Sequence, residues 1–161
     1  MGVVLNISQT NTLQVPPPLS PPGDSVDTVV SQGLEARAEA VYWQDFMPMI
    51  PEEGPPFFSV VHVNVTNTGN AAVSDFKAIR MTIYFDDSMV PLVTLNLTLV
   101  GDLPEIGPGE NVVLEFTNSR EQIYSPTIDE STRLYSRVLV IWSDGMEMIL
   151  TTPPSPVLYT H

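Results

Sequence analysis

A valine-rich run that ends in a tight turn constrains the fold of this chain more than any other feature. Residues 60–66 read Val-Val-His-Val-Asn-Val-Thr, and residues 67–70 continue with Asn-Thr-Gly-Asn. The first part has the composition of a half-buried strand, and the second supplies residues that accept the positive φ angles of turns. The same pattern of strand and turn recurs to the end of the chain, so we expect an all-β fold.

Alternating apolar residues predict the other strands. They cover residues 57–65, 76–85, 90–100, 111–117, 133–142 and 146–151. Residues 34–43 also alternate with period two, but their alanines and glutamates suit a helix as well. We favour a strand there because every later segment is β. Seven or eight strands with one apolar face each must pack in two layers, which predicts an antiparallel, immunoglobulin-like β-sandwich.

Proline-rich segments at both ends predict a division into an N-terminal arm (1–33), the sandwich (34–152) and an extended C-terminal tail (153–161). The arm begins with a short predicted strand over residues 3–8. A polyproline II segment follows, because proline removes backbone donors and fixes φ. It is either a solvated linker or an arm that reaches a neighbouring subunit. The residues expected to act in such an arm are Val3, Leu5, Ile7, Pro16, Pro17, Pro18, Leu19, Pro21 and Pro22.

The charge of the chain excludes two classes of partner. The formal net charge is −13, from 19 acidic and 6 basic residues. That charge repels nucleic-acid phosphates and anionic membrane surfaces. No apolar run approaches the ~20 residues of a membrane span. Residues 1–15 lack the basic and apolar regions of a signal peptide, so we expect either a cytosolic product or an export signal that was removed. Cysteine is absent, which excludes disulfides and thiol chemistry.

Two turn motifs resemble those of the immunoglobulin-like adhesion modules of the CARDB group. The first is Val-Asn-Val-Thr-Asn-Thr-Gly-Asn-Ala-Ala-Val at residues 63–73, and the second is Ile-Gly-Pro-Gly-Glu-Asn-Val-Val-Leu at residues 106–114. In such modules the first turn follows a long strand and the second precedes a strand of alternating hydrophobic residues. The resemblance covers residues 34–152. It implies a sandwich fold and a non-enzymatic role as a spacer, adhesive or assembly domain.

Groups that act in catalysis or hold metals are sparse. His62 lies on the strand face opposite the valines, and the other histidine is the last residue. Neither has an acidic neighbour in the spacing of a triad or a general base, so we expect no enzyme activity and no cofactor. The acidic pairs Glu52-Glu53, Asp86-Asp87 and Asp129-Glu130 fall in predicted turns. Such loops bind calcium where they converge, but solvated turns are favoured and no metal site is predicted.

Surface features suggest three further kinds of site. Sequons at Asn6, Asn64 and Asn96 would accept glycans if the protein is exported by an organism that glycosylates. Phe58, Val60 and Leu92 are expected to face away from the core, as a small docking patch for an arm or a neighbour. The aromatic residues would also suit a carbohydrate-binding face, although core packing explains most of them.

These observations favour a non-enzymatic structural protein that assembles by lending its termini, residues 3–22 and 153–160, to neighbours. The expected partners are protein, either further copies or lattice neighbours, without nucleic acid or membrane insertion. The setting that we favour is the surface of a virion, as a decoration (auxiliary capsid) protein. The alternatives are a secreted or cell-surface adhesive or filament-forming module, and a carbohydrate- or calcium-binding accessory domain.

Overall fold

The computed structural model describes residues 15–45, 52, 56–118, 123–124, 128–129, 131–143 and 145–160. Within these ranges all regular structure is β, without a helix, which confirms the all-β prediction. No helix there has the length and apolar character to cross a membrane. The strands of the described part are β1 (Val29–Ser31), β2 (Leu34–Asp45), β3 (Pro56–Asn67), β4 (Lys77–Phe85), β5 (Val93–Asn96), β6 (Thr98–Leu99), β7 (Asn111–Thr117), β8 (Ile123–Tyr124), β9 (Arg133–Trp142), β10 (Met146–Thr151) and β11 (Ser155–Thr160).

The strands fall into two groups that we call the front and back sheets. In the front sheet β2 pairs antiparallel with β3, from Leu34 opposite Asn67 to Gln44 opposite Phe57. β3 pairs on its other side with β7 and β8, and β1 pairs with β2. In the back sheet β9 lies between β4 and β10, and β5 pairs with β4. Long antiparallel pairings therefore build both groups.

Two segments pass from one sheet to the other. β5 pairs with β4 of the back sheet, and directly after Leu97 the chain continues as β6 beside β7 of the front sheet. β11 begins beside β9, with Ser155 opposite Leu134, and continues parallel to β2, with Val157 opposite Tyr42. Hydrogen-bonded strands consequently run almost all the way round the core, and the sheet is nearly closed in the manner of a barrel.

The core lies between the inward faces of the two sheets. Every second residue of β2 and β3 is buried, as expected for strands with one solvated face. Three inward alanines of β2 at positions 36, 38 and 40 leave room for larger side chains opposite. The hydroxyl of buried Tyr42 shares a 2.6 Å hydrogen bond with Ser136 Oγ across the core. Burial raises the pKa of Tyr42 to about 12, because ionisation would place a charge in an apolar interior.

Asn67 joins the two turn motifs, although it stands 39 residues before Ile106 in the sequence. Its side chain is buried, and Nδ2 donates to the carbonyl oxygens of Ala71 (2.7 Å) and Ile106 (2.9 Å) while Oδ1 accepts from Gly69 N (3.0 Å). Its backbone N donates to Glu110 O, and Gly109 N donates to its carbonyl. A single asparagine thus satisfies the backbone groups of both turns.

Most strand predictions are confirmed, including the choice of strand over helix for residues 34–43. Residues 111–117, 133–142 and 146–151 have the predicted bounds. The strand predicted over 90–100 is instead interrupted at Leu97, where the chain changes sheet. Residues 155–160, expected as a tail, form β11 within the sheet. The chain has more strands than the seven or eight expected because short pairings such as β1 and β6 add to the long ones.

Two side chains on the outward face of β4 are buried. Thr82 and Tyr84 do point away from the core, but neighbouring groups cover them. Thr82 Oγ1 and Thr94 Oγ1 lie 2.9 Å apart, and the Tyr84 ring stacks on Tyr135 with centroids 5.0 Å apart. The reason is that β4 lies between β5 and β9, and Val15 of the N-terminal arm lines a cavity with Thr82 and Thr94 on this face.

Candidate functional site

The outward face of the front sheet changes from apolar at one end to polar at the other. The apolar end, which we call the apolar patch, consists of Val41, Trp43, Phe58, Val60 and Leu158. Pairing brings these residues together, since Trp43 lies opposite both Phe58 and Leu158, and Val41 lies opposite Val60. Leu158 is 52% exposed and Val41 is 37% exposed. The patch is therefore a contiguous apolar surface open to solvent, on three neighbouring strands.

The centre of the patch is an aromatic pair. The rings of Trp43 and Phe58 stack with centroids 5.7 Å apart and planes inclined by 24°. Their chain neighbours Tyr42 and Phe57 stack in the same way on the buried side of the sheet. Aromatic side chains at the centre of an apolar surface are typical of the cores of protein–protein interfaces. This composition is suited to binding protein.

The polar end of the same face carries hydrogen-bonded side chains. Asn111 Nδ2 donates to Asn64 Oδ1 (2.6 Å) and to Thr66 Oγ1 (2.7 Å). His62 Nε2 lies 3.3 Å from Glu115 Oε2, and both side chains are nearly half exposed, so an ion pair there contributes little to stability. Cavities of about 210 and 170 Å³ open beside these residues. Arg37 and Asn64 line both cavities, together with other polar side chains and a few apolar ones, so this end has the character of a solvated rim.

Charge is distributed unevenly between the outward faces of the two sheets. Outward strand positions of the back sheet carry Lys77, Arg80, Arg133, Arg137 and one carboxylate, Glu147. Outward positions of the front sheet carry one cation and four carboxylates, namely Arg37, Glu35, Glu39, Asp45 and Glu115. The back face therefore holds three net positive charges and the front face three net negative charges. In a chain of net charge −13, this concentration of cations on one face is a distinct feature.

The N-terminal arm lies over the back sheet of its own domain. Arg137 Nη1 donates to the carbonyl of Pro16, and Arg133 Nη2 lies 3.3 Å from a carboxylate oxygen of Asp24. Between these two anchors Leu19 is 98% exposed. Beneath the arm, burial raises the pKa of Tyr84 above its ordinary value. The arm is thus held at both ends and presents one apolar side chain to solvent.

The residues predicted for the docking patch are divided between the two sheets. Phe58 and Val60 lie together in the apolar patch. Leu92, expected to face away from the core, instead packs against it, and its backbone N donates to Ile83 O of β4. Trp43 and Leu158 were missed as members of the patch. Period-two alternation with Val41 indicates the outward position of Trp43, but the sequence contains no signal for the pairing of β11 with β2.

The residues predicted for the assembly arm fall into three groups. Val3, Leu5 and Ile7 lie outside the described residues. Pro18 and Pro22 are half-buried. The exposed members are Pro16, Pro17, Leu19 and Pro21. The described part of the arm contacts its own domain, and its exposed apolar tip is the part available to another molecule.

Two of the three sequons lie within the described residues, and Asn6 lies outside them. Asn64 is half-buried and accepts the hydrogen bond from Asn111, so its side chain amide is part of the polar ladder. Asn96 is exposed on β5. The threonines that complete these two sequons are Thr66 and Thr98, on outward positions of the same strand or its continuation. Of the two, Asn96 has the better access for a glycan.

The acidic turns form no metal centre in the part of the chain that the structure describes. No group of three His, Asp or Glu side chains lies close enough there to hold a metal ion. Glu53 and Glu130 lie outside the described residues. Asp129 Oδ1 accepts hydrogen bonds from Ser131 N (2.9 Å), Ser131 Oγ (2.6 Å) and Thr132 Oγ1 (3.1 Å). Those bonds lower the pKa of Asp129 and show that this carboxylate shapes its own turn.

Comparisons with known proteins assign the chain to no family. No protein-family model matches it, and no curated protein matches it. A solved structure, titled as the X-ray structure of Northeast Structural Genomics Consortium target SoR45, is similar over 78% of this chain and 86% of its own. The sequence identity is 16% and the TM-score is 0.39, so nothing about function is taken from that likeness.

Proposed function

We propose that the chain is a non-enzymatic structural module whose copies associate through the outward face of the front sheet. The observation that carries this proposal is the apolar patch, with the stacked rings of Trp43 and Phe58 at its centre and Leu158 and Val41 open to solvent. Neighbouring apolar side chains that share one exposed surface with a polar rim are typical of interaction sites. The polar end of the face supplies the wet rim that such interfaces have.

The apolar patch is suited to contact between two copies of this acidic chain. Its five side chains are uncharged, so it allows close approach without bringing two carboxylates together. Complete burial of one large apolar side chain is worth roughly 1.5–3 kcal/mol before the entropy of association is subtracted. Several such side chains are enough for weak, reversible association, which many copies in a layer or filament convert into a stable assembly.

For the fold we propose a variant of the immunoglobulin-like sandwich in which two segments pass between the sheets. Support comes from the two turn motifs, which meet through Asn67, and from the antiparallel pairing of the long strands. For the setting we propose the surface of a virion, as a decoration protein. The acidic composition with a single lysine supports a solvent-facing role there.

The second setting that we propose is a secreted or cell-surface adhesive or filament-forming module. Exposed Asn96 favours it, because a glycan on this sequon is compatible with the fold. Occupancy of Asn96 after expression in a glycosylating host, detected by mass spectrometry, would support this setting. A carbohydrate-binding role has less support, since Trp43 and Phe58 cover part of each other's ring faces rather than both lying flat as a sugar platform.

The proposal is tested by measuring the weight-average mass of the full chain over a concentration series by light scattering. The Leu158→Asp and Val41→Asp variants place a charge in the patch, and Val90→Asp is the matched control. Val90 is an exposed valine in the turn between β4 and β5, far from the patch in the pairing order, and the change adds the same charge.

We expect the wild type and Val90→Asp to gain mass with concentration, and both patch variants to remain at 17.7 kDa. Thermal melting of all four proteins separates loss of association from loss of folding. Equal association by patch variants that melt normally would contradict the proposal. A wild type that stays monomeric at every concentration would contradict it as well.

A further inference from the structure

The tip of the N-terminal arm carries an apolar side chain, Leu19, that projects into solvent. Leu19 is almost fully exposed, although it lies between anchors at Pro16 and Asp24 that tie the arm to the back sheet. Its neighbours in both directions are prolines and a serine, so the segment from 15 to 23 carries no charge. Prolines reduce the freedom that such a segment loses on binding. Leu19 is therefore displayed in a pre-ordered, uncharged segment.

The apolar patch lies on the other side of the molecule. Trp43, Phe58 and Leu158 are on the outward face of the front sheet, whereas the arm covers the outward face of the back sheet. The strand positions carry three net positive charges on the back face and three net negative charges on the front face, and Asp24 of the arm, which pairs with Arg133, lowers the back-face total to two. Complementary charge steers and orients two surfaces that come into contact. The front face, with its apolar patch and net negative charge, is therefore complementary to the back face, with exposed Leu19 and net positive charge.

A stable contact requires more surface area than the apolar patch supplies. A standard interface covers about 800 Å² on each partner, which exceeds what five partly exposed side chains supply. The contact must extend over the polar end of the front face, where Glu35, Glu39 and Glu115 lie. The back face carries Lys77, Arg80 and Arg137, whose charge is opposite to that of those carboxylates, and Arg137 also anchors the arm at Pro16.

We infer that the apolar patch of one copy receives Leu19 and the back face of the next copy, in a head-to-tail contact. This inference rests on the proposed function and names the part of the partner that fills the patch. Because the two contacting surfaces differ, each copy keeps one of each free. Repetition of such a heterologous contact produces a ring if its rotation closes and a filament if it does not.

The test uses two charge-inserting variants of the full chain, Leu19→Asp and Leu158→Asp, alone and mixed. Leu19→Asp replaces the exposed leucine of the arm and leaves the apolar patch intact. Leu158→Asp disrupts the apolar patch and leaves Leu19 in place. Leu103→Asp controls for an added charge at an exposed apolar site, because Leu103 lies in the loop between β6 and β7 and at no strand position of either face. Sedimentation velocity gives the mass and the dissociation constant of each sample, and melting temperatures confirm folding.

We expect each variant alone to associate at least about tenfold more weakly than the wild type, as the loss of one buried leucine implies. An equimolar mixture should form a heterodimer of twice the monomer mass and nothing larger, because only one productive contact remains. Equal association of Leu19→Asp and the wild type, with Leu158→Asp monomeric, would overturn the head-to-tail inference and leave the proposed function standing. A mixture that stays monomeric would also overturn it. Wild-type protein that never associates would refute both.

Discussion

Replacement of Asn67 by alanine should destabilise this protein more than any other change to a polar side chain in the turns that we describe. The side chain is 1% exposed and makes three hydrogen bonds, to Ala71 O, Ile106 O and Gly69 N. Alanine removes all three at once. It also removes the side-chain bond from the turn after β3 to Ile106, although the backbone bonds of residue 67 with Glu110 and Gly109 remain.

The expected loss follows from those bonds. A typical hydrogen bond within a protein contributes about 1 kcal/mol net, and a buried partner left unsatisfied adds to the loss. Ile106 O keeps a second bond from Val73 N, and Ala71 is exposed to water, which limits the penalty. We therefore expect the free energy of unfolding to fall by about 2–4 kcal/mol. In a chain of this length the melting temperature should drop by roughly 5–15 °C.

Urea unfolding followed by circular dichroism measures this loss directly. Asn70→Ala is the matched control, because Asn70 lies in the same turn with its side chain exposed, and it should change stability by less than about 0.5 kcal/mol. Asn67→Asp keeps the acceptor for Gly69 but replaces the donor with a second oxygen, so it should be at least as destabilising as alanine. A loss below about 0.5 kcal/mol in Asn67→Ala would refute the role given to this residue.

Three further changes test other parts of the structure. Tyr42→Phe should cost about 1 kcal/mol near pH 8 through loss of the bond to Ser136. Burial raises the pKa of Tyr42 to about 12, so the stabilising contribution of this side chain is complete below pH 10 and disappears as the pH rises to 12. Urea titrations should therefore show that the free energy of unfolding of the wild type exceeds that of Tyr42→Phe near pH 8, and that this difference shrinks and reverses as the pH approaches 12. Gly33→Ala should destabilise more than Gly101→Ala, since both have positive φ but only the Cβ at position 33 would approach a backbone atom, at 3.3 Å; equal losses would contradict this. The double variant of Arg133 and Arg137 to alanine should release the arm, seen as faster proteinase K cleavage between residues 15 and 24 with a melting temperature close to wild type; unchanged cleavage would show that other contacts hold it.

Local patterns in the sequence predict the long strands because each has one buried face. β9 and β10 have the predicted bounds because each is an apolar-rich run that ends at a turn, and Gly145, with positive φ, marks the turn between them. β2 was ambiguous because alanine and glutamate suit helices, and burial of its alternate residues decides for the strand. Here tertiary packing overrides local propensity.

The remaining features depend on partners that are distant in the sequence. The inward side chains from Val93 to Leu99 keep their alternation through Leu97, so the pattern contains no sign of the change of sheet. The apolar patch depends on the parallel pairing of Leu158 with Trp43, from opposite ends of the chain. Phe58 and Val60 were predictable because strand alternation alone places them outward. Leu92 was not, since it precedes its strand and its backbone bond to Ile83 sets its direction.

The most direct test of the account is the weight-average mass of the unmodified full chain, measured by sedimentation equilibrium from about 1 µM to about 1 mM. Association through the patch predicts a mass that rises reversibly with concentration above the monomer value of 17.7 kDa. A mass that remains at the monomer value over the whole range would contradict the claim that copies of this chain bind one another.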